Sequence, residues 1–411
     1  MKKKRVVVVG GGFAGVRCAL DLAEHPIDFD VILIDRDGYH TYHADFYKLI
    51  TSGHGPLHIP REKFRLAFST AALELAEIFE GKSSVELMRG DVGRIHPAEN
   101  AVELSDGARV SYDVLVVATG SVTNFYAIPG LAARALELKS PEDALNIRNA
   151  IDEVFARKPK HEKISIIIGG GGFSGCEAAA EIALWFAKLA HAHGRPPENA
   201  EVTIVEAGAQ LLMSAPAWFR KKTEARLRGL GVQLIFSDSV VGVRDDAVDL
   251  KSGNAIPFDV LIWTAGVKAS PLAERIEGAK LAKGSCIVVD PYLRVGNFKN
   301  IFAVGDIAFC KGFGDEPLPM LAQTAVSQGR YAAYAIHRLF HDRRTFPFPH
   351  GSFHPQFIIP LGGHYALAYA KGFSLESWLP WALKRAVALK YFMSILPPRK
   401  ALRVWWRGVR V

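Results

Sequence analysis

Two glycine-rich loops, each preceded by a β-branched run, are the parts of this chain best suited to bind phosphate. They are Gly10-x-Gly12-x-x-Gly15 after residues 6–9 and Gly170-x-Gly172-x-x-Gly175 after residues 166–168. In such a loop the first glycine makes a tight turn and the second lets a pyrophosphate approach the backbone. The third lets a helix pack closely on its strand. A plain strand-to-helix turn is the alternative for either loop alone, but two complete loops predict two dinucleotides held by one chain.

Each loop is followed by an acidic residue at the end of the next apolar strand, where it would accept hydrogen bonds from a ribose hydroxyl. These residues are Asp35 and Glu206. Glu206 also repels a 2′-phosphate, and residues 207–210 offer no cation to offset that repulsion, so we expect NADH rather than NADPH. The simplest pair of ligands is a flavin dinucleotide and a nicotinamide dinucleotide.

Further candidate residues lie where other apolar strands end. Ala118-Thr119-Gly120 closes a strand of the first unit, and Gly266 closes the corresponding strand of the second. Gly305-Asp306 places a carboxylate at the end of a buried strand, where it would hold a sugar-alcohol chain; a simple turn is the alternative. Ala322, Gln323 and Gln328 begin a helix with small residues at 322, 325 and 329. By themselves, these residues favour an ordinary packed helix with two solvated glutamines.

The elements that must position these residues occur twice in the same order: strand, glycine loop, helix, strand, acid and closing strand. This repetition predicts an α/β fold with two Rossmann-like dinucleotide-binding domains, the second inserted into the first. We expect residues 1–125 and 280–348 to form the FAD-binding domain and residues 160–268 the NADH-binding domain, with a helical connector before residue 160. We expect residues 349–411 to form a C-terminal helical tail that serves membrane-surface binding or dimerisation.

The amino-acid composition indicates more than one core and argues against several kinds of site. The 411 residues are too many for one ordinary core, and 49% of them are apolar. Four cysteines are scattered without a C-x-x-C pair, so neither a disulfide framework nor a zinc site is indicated. His54 and His58 lie four residues apart without an acidic metal motif, so no metal site is predicted.

The basic N-terminus resembles a signal peptide, but glycines break the apolar run, and we expect the protein to stay on the cytoplasmic side.

The C-terminal region concentrates positive charge and tryptophan. From Arg343 onward there are eleven Lys or Arg residues and one acid, Glu376, in a chain whose net charge is +8. Four of the seven tryptophans lie here, at Trp378, Trp381, Trp405 and Trp406. Such a mixture suits a headgroup boundary with anionic lipid. Because Pro380 and three cations interrupt the apolar run 375–396, we expect it to lie on a membrane surface without crossing it. A docking helix at a dimer interface is one alternative; a nucleic-acid arm is another, but nothing else in the chain supports nucleic-acid binding.

Taken in order, these motifs resemble the type II NADH dehydrogenase family, single-subunit flavoproteins that pass electrons from NADH to membrane quinone. The resemblance covers nearly the whole chain. Its glycine loops and Gly305-Asp306 are shared by many flavoproteins. More particular to the family are the strand Trp263-Thr264-Ala265-Gly266-Val267, the Trp-rich basic tail and the run Ala322-Gln323-x-Ala325-x-x-Gln328.

The resemblance implies cofactors, partners and residue roles. FAD and NADH would be the cofactors, a quinone the substrate, and a peripherally bound homodimer at the cytoplasmic face of the membrane the working form. Glu177 would lie near the nicotinamide, and Gln323 and Gln328 would line the quinone side of the flavin. The cofactor-binding residues would be Gly10, Gly12, Gly15, Asp35, Arg36, Ala118, Thr119, Gly120, Gly170, Gly172, Gly175, Glu206, Gly266, Gly305, Asp306, Ala322 and Gln323.

The chain departs from the family pattern near the expected acceptor and nicotinamide sites. Ala44-Asp45 replaces the usual Pro-Leu, Leu321 replaces a threonine, and Cys176 replaces a valine. Sulfide:quinone reductases and dithiol-disulfide reductases, the related classes, use paired redox cysteines that this sequence lacks. A soluble NAD(P)H-dependent flavoprotein reductase with a protein or small-molecule acceptor is the main alternative, and a non-catalytic nucleotide-binding scaffold is the second.

Overall fold

The computed structural model describes residues 3–52, 68–312, 317–349 and 356–410. The first of its two large sheets contains the strand that leads into the first glycine loop. In spatial order its five parallel strands are β21 (Ile301–Ala303), β9 (Val114–Val117), β1 (Lys4–Val9), β2 (Phe29–Asp35) and β5 (Val85–Arg89). The valines of β1 are buried because helices and loops cover both faces of a parallel sheet. Helix α1 (Phe13–Ala23) follows β1 and packs against α8 (Ala322–Phe340).

The second large sheet repeats this arrangement. Its parallel strands, in the corresponding spatial order, are β11 (Leu136–Glu137), β18 (Val260–Trp263), β12 (Ile164–Gly169), β13 (Ala200–Glu206) and β14 (Gln233–Phe236). Three helices flank it: α5 (Pro141–Arg157), α6 (Phe173–His193) and α7 (Ala217–Gly229). Ile147, Ile151 and Phe155 of α5 are buried in the same core as β12. Helix α5, the predicted helical connector, therefore packs into the same core as the second sheet.

Smaller sheets complete both units. Each carries a three-stranded antiparallel sheet, formed by β6 (Val92–His96), β7 (Ala101–Leu104) and β8 (Arg109–Ser111) in the first, and by β15 (Val240–Val243), β16 (Ala247–Leu250) and β17 (Ala255–Pro257) in the second. The remaining short elements are β3 (Tyr39–Thr41) paired with β4 (Ala72–Glu74), β20 (Ile287–Val288) paired with β22 (Ala308–Phe309), and the helices α2 (Phe46–Thr51), α3 (Leu75–Ile78) and α4 (Leu131–Arg134).

The two linkers between the units pair with each other. Strand β10 (Ser121–Thr123) is antiparallel to β19 (Val267–Ala269), so the chain enters and leaves the second unit at one place. This pairing and the repeated sheet order confirm the predicted fold class, two Rossmann-like units with the second inserted into the first.

The C-terminal region packs against both units. It consists of β23 (Phe357–Pro360), β24 (Ala366–Ala370), β25 (Phe373–Ser377), α9 (Trp378–Ile395) and α10 (Pro398–Arg410). Phe357 and Leu367 join the core of the second unit, whereas Phe392 and Val404 join that of the first. Pro380 lies in the first turn of α9, where proline is tolerated and the helix continues past it. Within the described ranges, every helix is too short or too polar to cross a bilayer.

Candidate active site

The first glycine loop joins β1 to α1, and its glycines are required by close packing. A Cβ atom on Gly10 would lie 2.5 Å from the carbonyl oxygen of Ala118, and one on Gly15 would lie 1.9 Å from that of Gly10. A Cβ on Gly12 would meet only the Ala118 oxygen, at 4.0 Å, so this part of the loop is open. No side chain caps the start of α1, which leaves its first N–H groups able to bind phosphate.

The second loop joins β12 to α6 with the same construction. A Cβ on Gly170 would lie 2.7 Å from Cα of Ala265, and one on Gly175 would lie 2.0 Å from the oxygen of Gly170. A Cβ on Gly172 would meet no atom within 4 Å, and α6 again begins without a side-chain cap. Both loops therefore leave room for a pyrophosphate at the glycine where the sequence predicted it.

The two acids hold their loops in the same way. A carboxylate oxygen of Asp35 accepts a hydrogen bond of 2.7 Å from the Gly11 N–H, and one of Glu206 accepts a bond of 2.6 Å from the Gly171 N–H. Both acids lie at the ends of their predicted strands, beside the loops. Arg36 is different, because its mostly exposed guanidinium points to Asp37 at 3.5 Å, and Asp37 raises the pKa of Arg36.

Polar groups at the first loop fit a bound dinucleotide. The hydroxyl of Thr119 is buried and has no hydrogen-bond partner among the described residues, which is costly unless a ligand satisfies it. Asp306 accepts a hydrogen bond of 2.8 Å from Ser121, whose hydroxyl accepts one of 3.2 Å from Lys139. Burial lowers the pKa of Lys139. The open loop and the unsatisfied hydroxyl together match the sequence expectation of a flavin dinucleotide here.

The two candidate glutamines on α8 occupy different environments. Gln323 is exposed in the first turn of the helix, next to exposed Ala322. Gln328 is only 1% exposed, and its side-chain oxygen accepts a hydrogen bond of 2.7 Å from the Gly305 N–H. Gln328 thus attaches α8 to the Gly305-Asp306 turn, a contact that the sequence did not reveal. That Gln323 and Gln328 line the acceptor side of the flavin stays a prediction.

Glu177 lies on α6, directly after the second loop, and is paired with the C-terminal region. Lys384 of α9 donates a hydrogen bond of 2.8 Å to its carboxylate, and both side chains are 12% exposed. Burial raises the pKa of Glu177, and the Lys384 charge opposes that rise. The pair places one carboxylate and one ammonium at the point where α6 meets α9.

A second buried ion pair lies at one of the departures from the family pattern. Arg385 donates a hydrogen bond of 3.1 Å to Asp45, and each side chain is 6% exposed. Burial opposes ionisation of Asp45, but the nearby cations outweigh it and lower the pKa of this carboxyl group. The sequence interpretation that the cations of the tail face lipid is therefore wrong for Lys384 and Arg385, because buried carboxylates of the two units bind them.

His40 is another residue whose part in the site appears only in the structure. Its Nδ1 lies 3.0 Å from the carbonyl oxygen of Gly11, and its Nε2 lies 2.8 Å from the hydroxyl of Tyr391 on α9. Its ring meets Phe13 edge to face at 4.9 Å. Burial lowers the pKa of His40 to about 4, so the imidazole is neutral in the folded protein.

The cysteines are packing residues. All four are buried and free. Cys176 donates a weak hydrogen bond from its thiol to the Gly171 carbonyl oxygen at 3.5 Å, and burial raises its pKa far above that of an ordinary thiol.

Comparisons with known proteins agree with this geometry. A family model for the pyridine nucleotide-disulphide oxidoreductases matches residues 4–329. The chain is 26% identical to the type II NADH:quinone oxidoreductase of Staphylococcus haemolyticus (strain JCSC1435) over 364 residues, 84% of this chain and 85% of the relative. It is also 26% identical to the protein of that name from Staphylococcus aureus (strain NCTC 8325 / PS 47) over 358 residues, with the same two coverages.

Solved structures show the same fold. NDH2 from Plasmodium falciparum in complex with NADH is similar with a TM-score of 0.83 and 17% identity, over 100% of this chain and 98% of that one. The sulfide:quinone oxidoreductase from Aquifex aeolicus is similar with a TM-score of 0.77 and 18% identity, over 95% of this chain and 90% of that one. The resemblance recognised in the sequence is confirmed, and this chain belongs to the pyridine nucleotide-disulphide oxidoreductase family.

Proposed function

We propose that this protein is an FAD-dependent NADH:quinone oxidoreductase that passes electrons from NADH through flavin to a membrane quinone without pumping protons. One observation carries the proposal: the chain has two phosphate-binding loops of equal construction, each closed by its own acid. The names of the curated relatives support the choice of NADH and quinone. A soluble reductase with another acceptor remains an outcome of the test below.

In this proposal each unit has one cofactor. The first unit holds FAD at its glycine loop, with Asp35 on the ribose and Asp306 on the ribityl chain. The second holds NADH, with Glu206 on the ribose hydroxyls. The bound flavin supplies the redox chemistry, and the chain supplies position and charge. The remaining cofactor-binding residues proposed are those that the resemblance implies. The FAD-binding domain is proposed to comprise residues 1–125 and 280–348, and the NADH-binding domain residues 160–268.

The catalytic assignments follow from burial and charge. Glu177 and Lys384 form a buried acid–base pair that can hold a proton at the edge of the second unit. Gln323, exposed at the start of α8, would contact the acceptor. Gln328 would act on the same side of the flavin by holding α8 against Gly305.

The acceptor site is proposed to lie at the cytoplasmic membrane surface. Leu379, Leu383 and Val387 follow one another at four-residue intervals on α9 and are 49%, 43% and 49% exposed. Trp378, the first residue of α9, is 64% exposed, and Phe373, the first residue of the preceding strand β25, is 79% exposed. An apolar face of this kind on a basic tail favours peripheral binding to anionic lipid. We propose a homodimer as the assembly.

The test is turnover with defined donors and acceptors. Purified protein is loaded with FAD, mixed with NADH without oxygen, and then given a water-soluble quinone analogue while flavin absorbance is followed. We expect NADH to bleach the flavin and quinone to restore it. The kcat/KM for NADPH should be more than about tenfold lower than that for NADH. A tenfold difference corresponds to roughly 1.4 kcal/mol, and repulsion between the Glu206 carboxylate and a 2′-phosphate costs more than that.

Two results would contradict the proposal. A protein that cannot be loaded with flavin would be a nucleotide-binding scaffold. A reduced flavin that is reoxidised by small redox proteins and not by quinones would make the protein a soluble reductase. Equal efficiency with NADH and NADPH would contradict only the role of Glu206.

A further inference from the structure

A cluster of three histidines and one aspartate lies outside the site described above. His25 and Asp28 follow the C-terminal end of α1, and His337 and His341 lie at the C-terminal end of α8. Helix α1 begins at the first glycine loop, and the first half of α8 is attached to the Gly305 turn. An α-helix rises about 1.5 Å per residue, so the cluster is roughly 15 Å from the glycine loop.

The donor atoms of this cluster are close together. One side-chain donor each from His25, Asp28 and His337 lie within 4.8 Å of one another. The Nε2 atoms of His337 and His341 lie 3.9 Å and 3.3 Å from the same oxygen of Asp28. In a tetrahedral zinc site with metal–ligand distances of about 2.0–2.1 Å, the donors are about 3.4 Å apart. The donors of His25, Asp28 and His337 are therefore at most about 1.4 Å farther apart than in such a site, and His341 already lies at a comparable distance from Asp28.

The backbone holds these side chains in place. His337 and His341 are four residues apart at the end of a helix, so they project from the same face. Asp28 donates its backbone N–H to the carbonyl oxygen of His25 at 3.1 Å, and the N–H of Phe29 donates to the same oxygen at 3.2 Å. The side chains of Asp28, His337 and His341 are 31%, 24% and 31% exposed, which leaves a path for an ion from solvent.

We propose that His25, Asp28, His337 and His341 bind one divalent transition-metal ion, with Zn²⁺ as the representative. Imidazole nitrogens suit Zn²⁺, Ni²⁺ and Cu²⁺, whereas Mg²⁺ and Ca²⁺ require mostly oxygen ligands. The Asp28 carboxylate and the three imidazole rings supply four ligands, the number that a tetrahedral Zn²⁺ site requires. This proposal does not depend on the proposed function. It also revises the sequence prediction, which considered only His54 and His58; those two lie outside the described residues.

A metal ion at this place would join the ends of two helices that already touch near their beginnings. A Cβ on Gly329 of α8 would lie 2.2 Å from the carbonyl oxygen of Ala14 on α1, so the two backbones are in close contact there. The ion would add a second point of attachment about three turns away. Because the ion would bind only the folded state, it would raise the free energy of unfolding of the first unit.

The experiment compares zinc binding by the full chain and two matched kinds of variant. Flavin-loaded protein is freed of metal with EDTA, dialysed, and titrated with ZnCl₂ against a chromophoric chelator. The test variants are His337→Gln with His341→Gln, and His25→Gln alone. The controls are His96→Gln and His193→Gln, since each of these histidines pairs with a single carboxylate, at 2.9 Å and 3.0 Å.

We expect the wild type and both controls to bind one equivalent of Zn²⁺, and both test variants to bind it at least about tenfold more weakly. Added Zn²⁺ should raise the Tm of the wild type by several degrees and leave that of the double variant unchanged. NADH oxidation at a temperature where all variants are folded should stay the same. If the wild type binds no Zn²⁺, or the folded double variant binds it as tightly as the wild type, the site is wrong. If the double variant loses stability although the wild type binds no Zn²⁺, the cluster consists of plain histidine–aspartate ion pairs and the proposal is wrong.

Discussion

The two glutamines of α8, Gln323 and Gln328, differ in burial and in hydrogen bonding. Gln328 is buried and satisfies the Gly305 N–H, a backbone group that has few alternatives in a packed interior. Gln323 is exposed at the start of the same helix. An unpaired buried donor costs about 1–3 kcal/mol, whereas loss of an exposed amide costs little. The two positions therefore respond differently to the same substitution.

We predict that Gln328→Leu lowers the free energy of unfolding by about 1–3 kcal/mol, because the Gly305 N–H loses its acceptor. Gln323→Leu should change stability by less than about 0.5 kcal/mol and slow reoxidation of the reduced flavin by quinone. Denaturant unfolding measures the first effect, and stopped-flow absorbance separates flavin reduction from reoxidation. Gln233→Leu, at an exposed position of the second unit, is the control. Slower flavin reduction by NADH in Gln323→Leu would place this residue on the nicotinamide side instead.

At the scale of elements, His40 joins the first glycine loop to helix α9. It contacts the Gly11 carbonyl oxygen on one side and the Tyr391 hydroxyl on the other, and it is fully buried. The neutral imidazole can donate a hydrogen bond to the Gly11 oxygen and accept one from the Tyr391 hydroxyl. A protonated ring has no nitrogen left to accept a hydrogen bond. This connection makes the attachment of the C-terminal region sensitive to acid.

We predict that His40 contributes stability that is complete above about pH 6.5 and is lost as the pH falls toward 4. The pKa of His40 is about 4 in the folded protein and near the ordinary 6.5 in the unfolded chain, so acid favours the unfolded state. The wild type should lose about 2 kcal/mol relative to His40→Gln between pH 8 and pH 5. Unfolding by urea at a series of pH values measures this difference. The exposed His161→Gln should follow the wild type, and a parallel pH profile for His40→Gln would contradict the assignment.

At the scale of the whole molecule, the C-terminal region has two faces. Phe392, Ile395 and Val404 pack into the first unit, and the cations Lys384 and Arg385 bind carboxylates of the two units. The opposite face exposes apolar side chains of α9. Deleting the region would open the core and break two buried ion pairs, so surface substitutions are the sharper test of membrane binding.

We predict that the triple variant Leu379→Gln, Leu383→Gln and Val387→Gln keeps its fold and its NADH-to-soluble-quinone activity. Its binding to anionic vesicles should weaken by at least about tenfold, because three side chains no longer contribute apolar burial in the lipid interface. Cosedimentation at low salt measures binding, and size-exclusion chromatography measures the oligomeric state. The control changes exposed apolar residues elsewhere, Met213, Val241 and Leu281, to Gln. Unchanged vesicle binding in the triple variant, or a loss of dimer alone, would make this face a docking surface between copies.

The two Rossmann-like units are predictable from the amino-acid sequence alone. A glycine loop, the strand before it and the acid after the next strand are close along the chain, and their spacing follows from local backbone geometry. Gly10, Gly15, Asp35 and Glu206 therefore lie where the pattern predicted. The insertion of the second unit was also predictable, because the order of strands and loops repeats.

Contacts between residues far apart in the chain become visible only in the folded structure. Lys384 pairs with Glu177, Arg385 with Asp45, and His337 with His25, and each pair is separated by many residues that leave no periodic signal. The sequence pattern predicts that the cations of the tail face lipid, because a positive charge near apolar residues has the same pattern whether it faces a membrane or a buried carboxylate. The choice between them depends on burial, since a desolvated charge requires a partner at short range and a solvated one does not.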